Sequence, residues 1–97
     1  MLFESCVDSD DAARASSLGG AGRIELCARL DVGGTTPDPA LIERCVASVA
    51  IPVFVMIRPR GGGFVYDAGE VAAMEADIRT AIAAGAHGVV FGALRRD

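Results

Sequence analysis

The chain contains no lysine, and its nine basic residues are all arginine, spread from Arg14 to Arg96 without a cluster. A polyanion-binding face needs a basic stripe, so with a formal net charge of −4 nucleic acid is excluded as a partner class. Long apolar runs are missing too. The longest nearly apolar stretch, Cys45 to Ile57, is broken by Pro52 and falls well short of the ~20 residues that cross a bilayer, so no membrane partner is expected. The opening Met1-Leu2-Phe3-Glu4 has no basic residue ahead of its short apolar pair, unlike an export signal, which makes the cytoplasm the expected compartment. No CxxC pair occurs. The three cysteines are an odd count, which indicates free thiols in a reducing compartment rather than a disulfide framework.

What is present is a single-domain length of 97 residues, 52% of them hydrophobic, enough to bury a core. Strand and helix signals alternate with short joins. Leu2 to Cys6 reads as a first strand, after which Ser9-Asp10-Asp11 supplies an N-cap and an acidic first turn to an Ala-rich helix ending at Gly19-Gly20. Arg23 to Cys27 is the second strand. A loop over residues 28–35 leads to a helix opened by Thr36-Pro37 or Asp38-Pro39, with Leu41, Cys45, Val46 and Val49 as its buried stripe. Pro52 to Ile57 is the third strand, and a helix from about Ala68 to Ala84 follows, apolar at Val71, Met74, Ile78 and Ile82 and stopped by Gly85. Gly88 to Phe91 is the fourth strand. The order βαβαβαβ with apolar strands predicts an α/β fold with a parallel sheet covered by helices, either doubly wound or part of a (βα)8 barrel.

Two features favour the barrel. A doubly wound sheet places a Gly-rich turn after its first strand, and the Cys6 to Asp10 join has no glycine. In addition, Glu4-Ser5-Cys6 is echoed at the end of the second strand by Glu25-Leu26-Cys27, and side chains two apart on a strand share a face. Polar groups at several strand ends then converge on one mouth, as they do at the C-terminal end of a barrel. The third strand adds Met56 to that face and runs into Arg58-Pro59-Arg60-Gly61-Gly62-Gly63. Two guanidiniums followed by glycine backbone form a candidate anion-binding loop in which Arg58, Arg60, Gly61 and Gly62 receive a small carboxylate or phosphate.

The combination Glu4-Ser-Cys6 with Asp8-Ser9, Arg23-Ile-Glu-Leu-Cys-Ala28, Gly33-Gly34-Thr-Thr-Pro37, Ile51-Pro52-Val53 and Ile57-Arg-Pro-Arg-Gly-Gly62 with Phe64 and Tyr66 resembles the CutC family. The resemblance spans nearly the whole chain in the right order. It implies a TIM barrel, a role in copper homeostasis, and binding of Cu(I) through cysteines. A full barrel takes ~250 residues and eight strands, so residues 1–97 are expected to form one N-terminal half: a partial barrel of about four parallel strands and three helices. The His-Arg-Ala-Phe-Asp motif that the family adds to the same mouth later in its sequence is absent. Gly63 stands where the family usually has an aspartate, so no role for that carboxylate carries over.

Each candidate has a structural alternative. Cys6 and Cys27, with Met56 as a third soft donor, are candidate Cu(I) ligands, because thiolate and thioether select that ion; buried free cysteine otherwise behaves as a small hydrophobe. Cys45, on a helix stripe, is packing. Glu4 and Glu25 are candidate acid/base catalysts, with Arg58 and Arg60 as their expected partners, and the alternative is an ion-pair network that only fixes the barrel. His87 precedes the fourth strand and belongs to the structural end of the barrel. Tyr66 either overhangs the mouth or packs on the loop, while Asp8 and Ser9 read as capping groups. Three functional readings follow: a copper protein, an enzyme acting on a small anion, and a half-barrel whose open edges pair with a second copy.

Overall fold

A computed structural model describes residues 4–92. Its elements run β1 (Glu4–Val7), α1 (Asp10–Leu18), β2 (Arg23–Leu26), a 3₁₀ turn (Leu30–Val32), α2 (Pro39–Ser48), β3 (Val53–Met56), α3 (Ala68–Ala83) and β4 (Gly88–Val90). Leu2 and Phe3 of the expected first strand lie outside the described residues. All four strands are parallel, in the order β1-β2-β3-β4. Each neighbour is reached by one βα crossover with no reversal of order, which is the progression of a barrel wall and not of a doubly wound sheet. None of the described helices is long and apolar enough to cross a membrane.

Capping chemistry starts each helix. Ser9 Oγ accepts the Ala12 N–H at α1, and Asp38 Oδ1 accepts the Leu41 N–H at α2, so Asp38-Pro39 rather than Thr36-Pro37 opens that helix. Asp67 and Glu70 form a reciprocal capping box at α3. At its far end Gly85 takes φ +104°, a left-handed conformation that L side chains resist.

The core lies between one face of the sheet and the helices. Val7, Ile24, Leu26, Val53, Val55 and Ile57 alternate along the strands and pack with Ala13, Ile42, Cys45, Met74 and Ala81. Two expected stripes are corrected here. On α2 the fully buried residues are Ile42 and Cys45, with Leu41, Val46 and Val49 packed at the margin. On α3 they are Met74 and Ala81, leaving Val71 and Ile82 exposed. The small Ala81 lets the helix seat close to the sheet, which turns the bulkier Val71 and Ile82 away from the contact.

Opposite the helices, the sheet presents Glu4 and Cys6 from β1, Arg23 and Glu25 from β2, and Phe54 and Met56 from β3, all exposed or half-buried. At the N-terminal end of the strands, His87 Nδ1 accepts the Val53 N–H at 3.0 Å while the His87 N–H bonds the Val53 carbonyl. That doubly tied histidine is a strut between β3 and β4, far from the C-terminal mouth.

Candidate functional site

Strand register decides which polar groups meet. Glu4 pairs with Arg23 and Cys6 with Glu25, and the row continues from Glu25 to Phe54 and Gly88. The repeated Glu-x-Cys therefore does not align with itself across the strands. Cys27 stands two residues beyond Glu25, diagonal to Cys6. This stagger, inherent in tilted barrel strands, places Glu4, Cys6 and Glu25 together, their ligand atoms all within 4.8 Å of one another.

Arg23 completes the group. Its Nε donates to Glu4 Oε2 at 2.6 Å, and its guanidinium lies over the Phe54 ring, 4.7 Å from the centroid. Phe54 lies flat across β4 because residue 88 is glycine: a Cβ there would stand 2.8 Å from the Phe54 ring. Glu4, Arg23, Glu25, Phe54, Val89, Val90 and Phe91 line an open cavity of ≈ 360 Å³. Within it the two carboxyls are driven apart in acidity. Hydrogen bonding with Glu25, then with Arg23, holds Glu4 below its ordinary pKa. The same contact, followed by burial, raises Glu25. Such a pair titrates as a unit, the acidity of each carboxyl being set by the other.

The thiols occupy different surroundings. Cys6 is exposed and its S–H points to Glu25 Oε2 at 3.7 Å; burial first, then the Glu25 charge, raises its pKa. Cys27 is 1% exposed, donates to the Val7 carbonyl at 3.6 Å, and is pushed up to about 11, chiefly by burial. Above Cys27 runs the segment 28–35, which folds back on itself through an antiparallel bridge between Ala28 and Thr35. Gly34, at φ +97°, sits so close that a Cβ would lie 3.3 Å from Cys27 Sγ and 3.8 Å from Met56 Cε. Thiol and thioether methyl thus border the place where a Gly34 Cβ would lie. Cys45 is packed in the core beneath α2.

The arginine loop departs from expectation. Neither Arg58 nor Arg60 partners Glu4 or Glu25; Arg23 takes Glu4, and Arg60 Nε bonds Glu70 Oε2 at 2.6 Å. Arg58 is 8% exposed and donates Nη1 to the Val32 and Gly34 carbonyls (2.7 and 3.1 Å) and Nη2 to the Gly62 carbonyl (2.8 Å). Its Nε and the Tyr66 hydroxyl are buried without partners. Arg60 also reaches the carbonyls of Gly61, Gly63 and Val65. The two guanidiniums stack on Phe64 and Tyr66 at 4.9 and 4.8 Å. In this arrangement Gly61 and Gly62 turn carbonyls toward the arginines, and the loop is stapled from inside. The sequence reading missed Arg23, Phe54 and Gly34. Arg23 carried a usable signal, since it lies two residues before Glu25 and so shares its face.

Parallel βα steps with charged and sulfur-bearing side chains on the face away from the helices define the wall of a TIM-barrel-type protein. The chain belongs to the CutC family, which it matches over residues 1–97. It is 57% identical over 96 residues to the copper homeostasis protein cutC homolog of Mus musculus, covering 99% of this chain and 35% of that protein. The CutC family protein of Sinorhizobium medicae is 50% identical over 97 residues, with 100% of this chain and 39% of that protein covered. The crystal structure of CutC from Streptococcus agalactiae superimposes with a TM-score of 0.90 at 37% identity, over 99% of this chain and 47% of that one. The chain spans little more than a third of the length of these curated relatives.

Proposed function

We propose that this chain serves copper homeostasis in the cytoplasm by binding Cu(I) at Cys6 and Cys27, with Met56 as a third soft donor. The observation that carries this reading is that the Cys27 thiol and the Met56 methyl both border the place a Gly34 Cβ would occupy, with Cys27 two residues beyond the Cys6–Glu25 pair. Two thiols and a thioether fit a soft monovalent ion and suit hard cations poorly. All three cysteines are free, the state that a reducing compartment maintains. Both candidate thiols hold their protons at neutral pH, so each thiolate formed on Cu(I) uptake releases one, and affinity rises with pH. The open edges of β1 and β4 are where the remaining strands of a barrel pair, from a longer chain or a second copy.

Anaerobic competition against a chromophoric Cu(I) chelator tests the assignment. Cys6→Ser and Cys27→Ser each weaken binding at least ~10-fold, since even outer-shell changes at metal sites cost that much. Unchanged affinity in both variants refutes the ligand set.

A second reading, acid/base chemistry on a small anionic molecule, is favoured by the split pair Glu4 and Glu25 beside a cavity that also holds Arg23. Thermal-shift screening with small carboxylates and phosphates separates it from the first. Its hits are lost in Arg23→Met if the cavity is the site, or in Arg58→Ala if the anion instead displaces the loop carbonyls from Arg58.

A further inference from the structure

We propose that Arg58 is a positioning residue that holds the segment 28–35 as a strap over Cys27 and Met56, so that access to this thiol and thioether is governed by release of the strap from Arg58. The inference deepens the copper reading, but it takes from that reading only the identity of the incoming ion.

Four observations support it. Gly34 lies against the Cys27 sulfur, so close that a Cβ there would stand only 3.3 Å from Sγ, tighter than an ordinary van der Waals contact. Gly34 is held from both directions, through its N–H to the Arg29 carbonyl and through its own carbonyl to Arg58 Nη1. Arg58 binds a second point of the strap at the Val32 carbonyl, and its backbone exchanges hydrogen bonds with Thr36, where the strap rejoins the chain. Gly61 then packs against Val32, at 3.1 Å from where its own Cβ would be, so the strap and the arginine loop interlock. The strap itself contributes little to the core: Leu30 and Val32 are among the exposed hydrophobic residues. Its attachment therefore depends on hydrogen bonds, two of them charge-assisted through the Arg58 guanidinium, more than on apolar burial. Segments built this way open locally at a much lower free energy than the fold as a whole.

The three free cysteines provide the assay. Iodoacetamide labelling of the native protein, followed residue by residue by mass spectrometry, reports access at Cys27, with Cys6 as the open reference and Cys45 as the reporter of global unfolding. Arg58→Met keeps the stem of the side chain and removes every donor. Cys27 labelling then accelerates at least ~10-fold, the least expected from losing charge-assisted hydrogen bonds, while Cys45 stays at its wild-type rate. Burial is the chief cause of the raised Cys27 pKa, so release of the strap exposes the thiol and also eases its ionisation, and the labelling rate reads the two together. An unchanged Cys27 rate, or one that rises in step with Cys45, overturns the proposal.

Wild-type protein gives a second measurement that does not depend on the variant folding. At low urea the Cys27 labelling rate is flat, as local opening requires, whereas Cys45 labelling climbs from the first addition. Parallel slopes for the two residues overturn the strap. Faster Cys27 labelling in Arg58→Met combined with Cu(I) affinity indifferent to Cys27→Ser leaves the strap standing and removes Cys27 from the copper reading.

Discussion

The two faces of the sheet are made from alternate residues of the same strands, yet they differ in nearly every physical respect. Toward the helices stand Ile24, Leu26, Val53 and Val55, each with 0% exposure. On the other side, offset by one residue, stand Glu4, Cys6, Arg23, Glu25, Phe54 and Met56, exposed or half-buried, with an Arg23–Glu4 ion pair, an Arg23–Phe54 cation–π contact and a Cys6–Glu25 hydrogen bond among them. The difference teaches that the period of the strand separates stability from chemistry. The helix-facing set forms a core with no charge on it. The open set retains titratable groups whose acidity is set by each other.

Mutation should break this symmetry unevenly. The largest effect is expected from Ile24→Ala, which leaves a cavity under the helices and costs ~2–5 kcal/mol, against Cys6→Ser on the open face at within ~0.5 kcal/mol, both read from urea unfolding midpoints. Comparable losses in the two variants would mean that the open face carries stability as well. Next in size is Gly88→Ala. Its methyl collides with the Phe54 ring, costing ~1–3 kcal/mol, and most of that loss is recovered in the double variant with Phe54→Leu; additive losses would show that the ring is not the obstacle.

The smallest effect sharpens the comparison by pH. The Cys27 pKa is raised from 9.0 to about 11 in the folded chain, so the native state binds its proton more tightly than the unfolded state does. That contribution is complete below pH 9 and disappears as pH rises through about 11. Stability of the wild type should therefore fall more steeply over this interval than that of Cys27→Ala. Identical slopes would indicate that the thiol is not held apart from water.

Most of the fold was legible because it is local. The Ser9 cap, the Asp38-Pro39 start, the Gly85 stop and the apolar strands each declare themselves within a few residues. The grouping of Glu4, Cys6 and Glu25 was also legible, since it follows from strand parity. What escaped was long-range and geometric. The echo of Glu-x-Cys on two strands did not disclose their stagger: the register pairs Glu4 with Arg23, 19 residues away. Arg58 and Arg60 read as a clamp for an external anion because no sequence displays where main-chain carbonyls will point. In the folded chain those carbonyls meet the guanidiniums. The offset of the buried stripe on α3 was hidden for a simpler reason: Ala81, fully buried, is too small to stand out in an apolar pattern.

Glu70 has a wider consequence than its place in a capping box suggests. One carboxylate closes the first turn of α3 through the Asp67 N–H and at the same time receives the Arg60 guanidinium. The mouth loop and the helix start thus share one side chain, while each keeps anchors of its own: the Glu70 N–H still reaches Asp67, and Arg60 still holds the Gly61, Gly63 and Val65 carbonyls. A ligand that drew Arg60 away would therefore uncover one carboxylate at the rim of the sheet without unwinding the helix behind it.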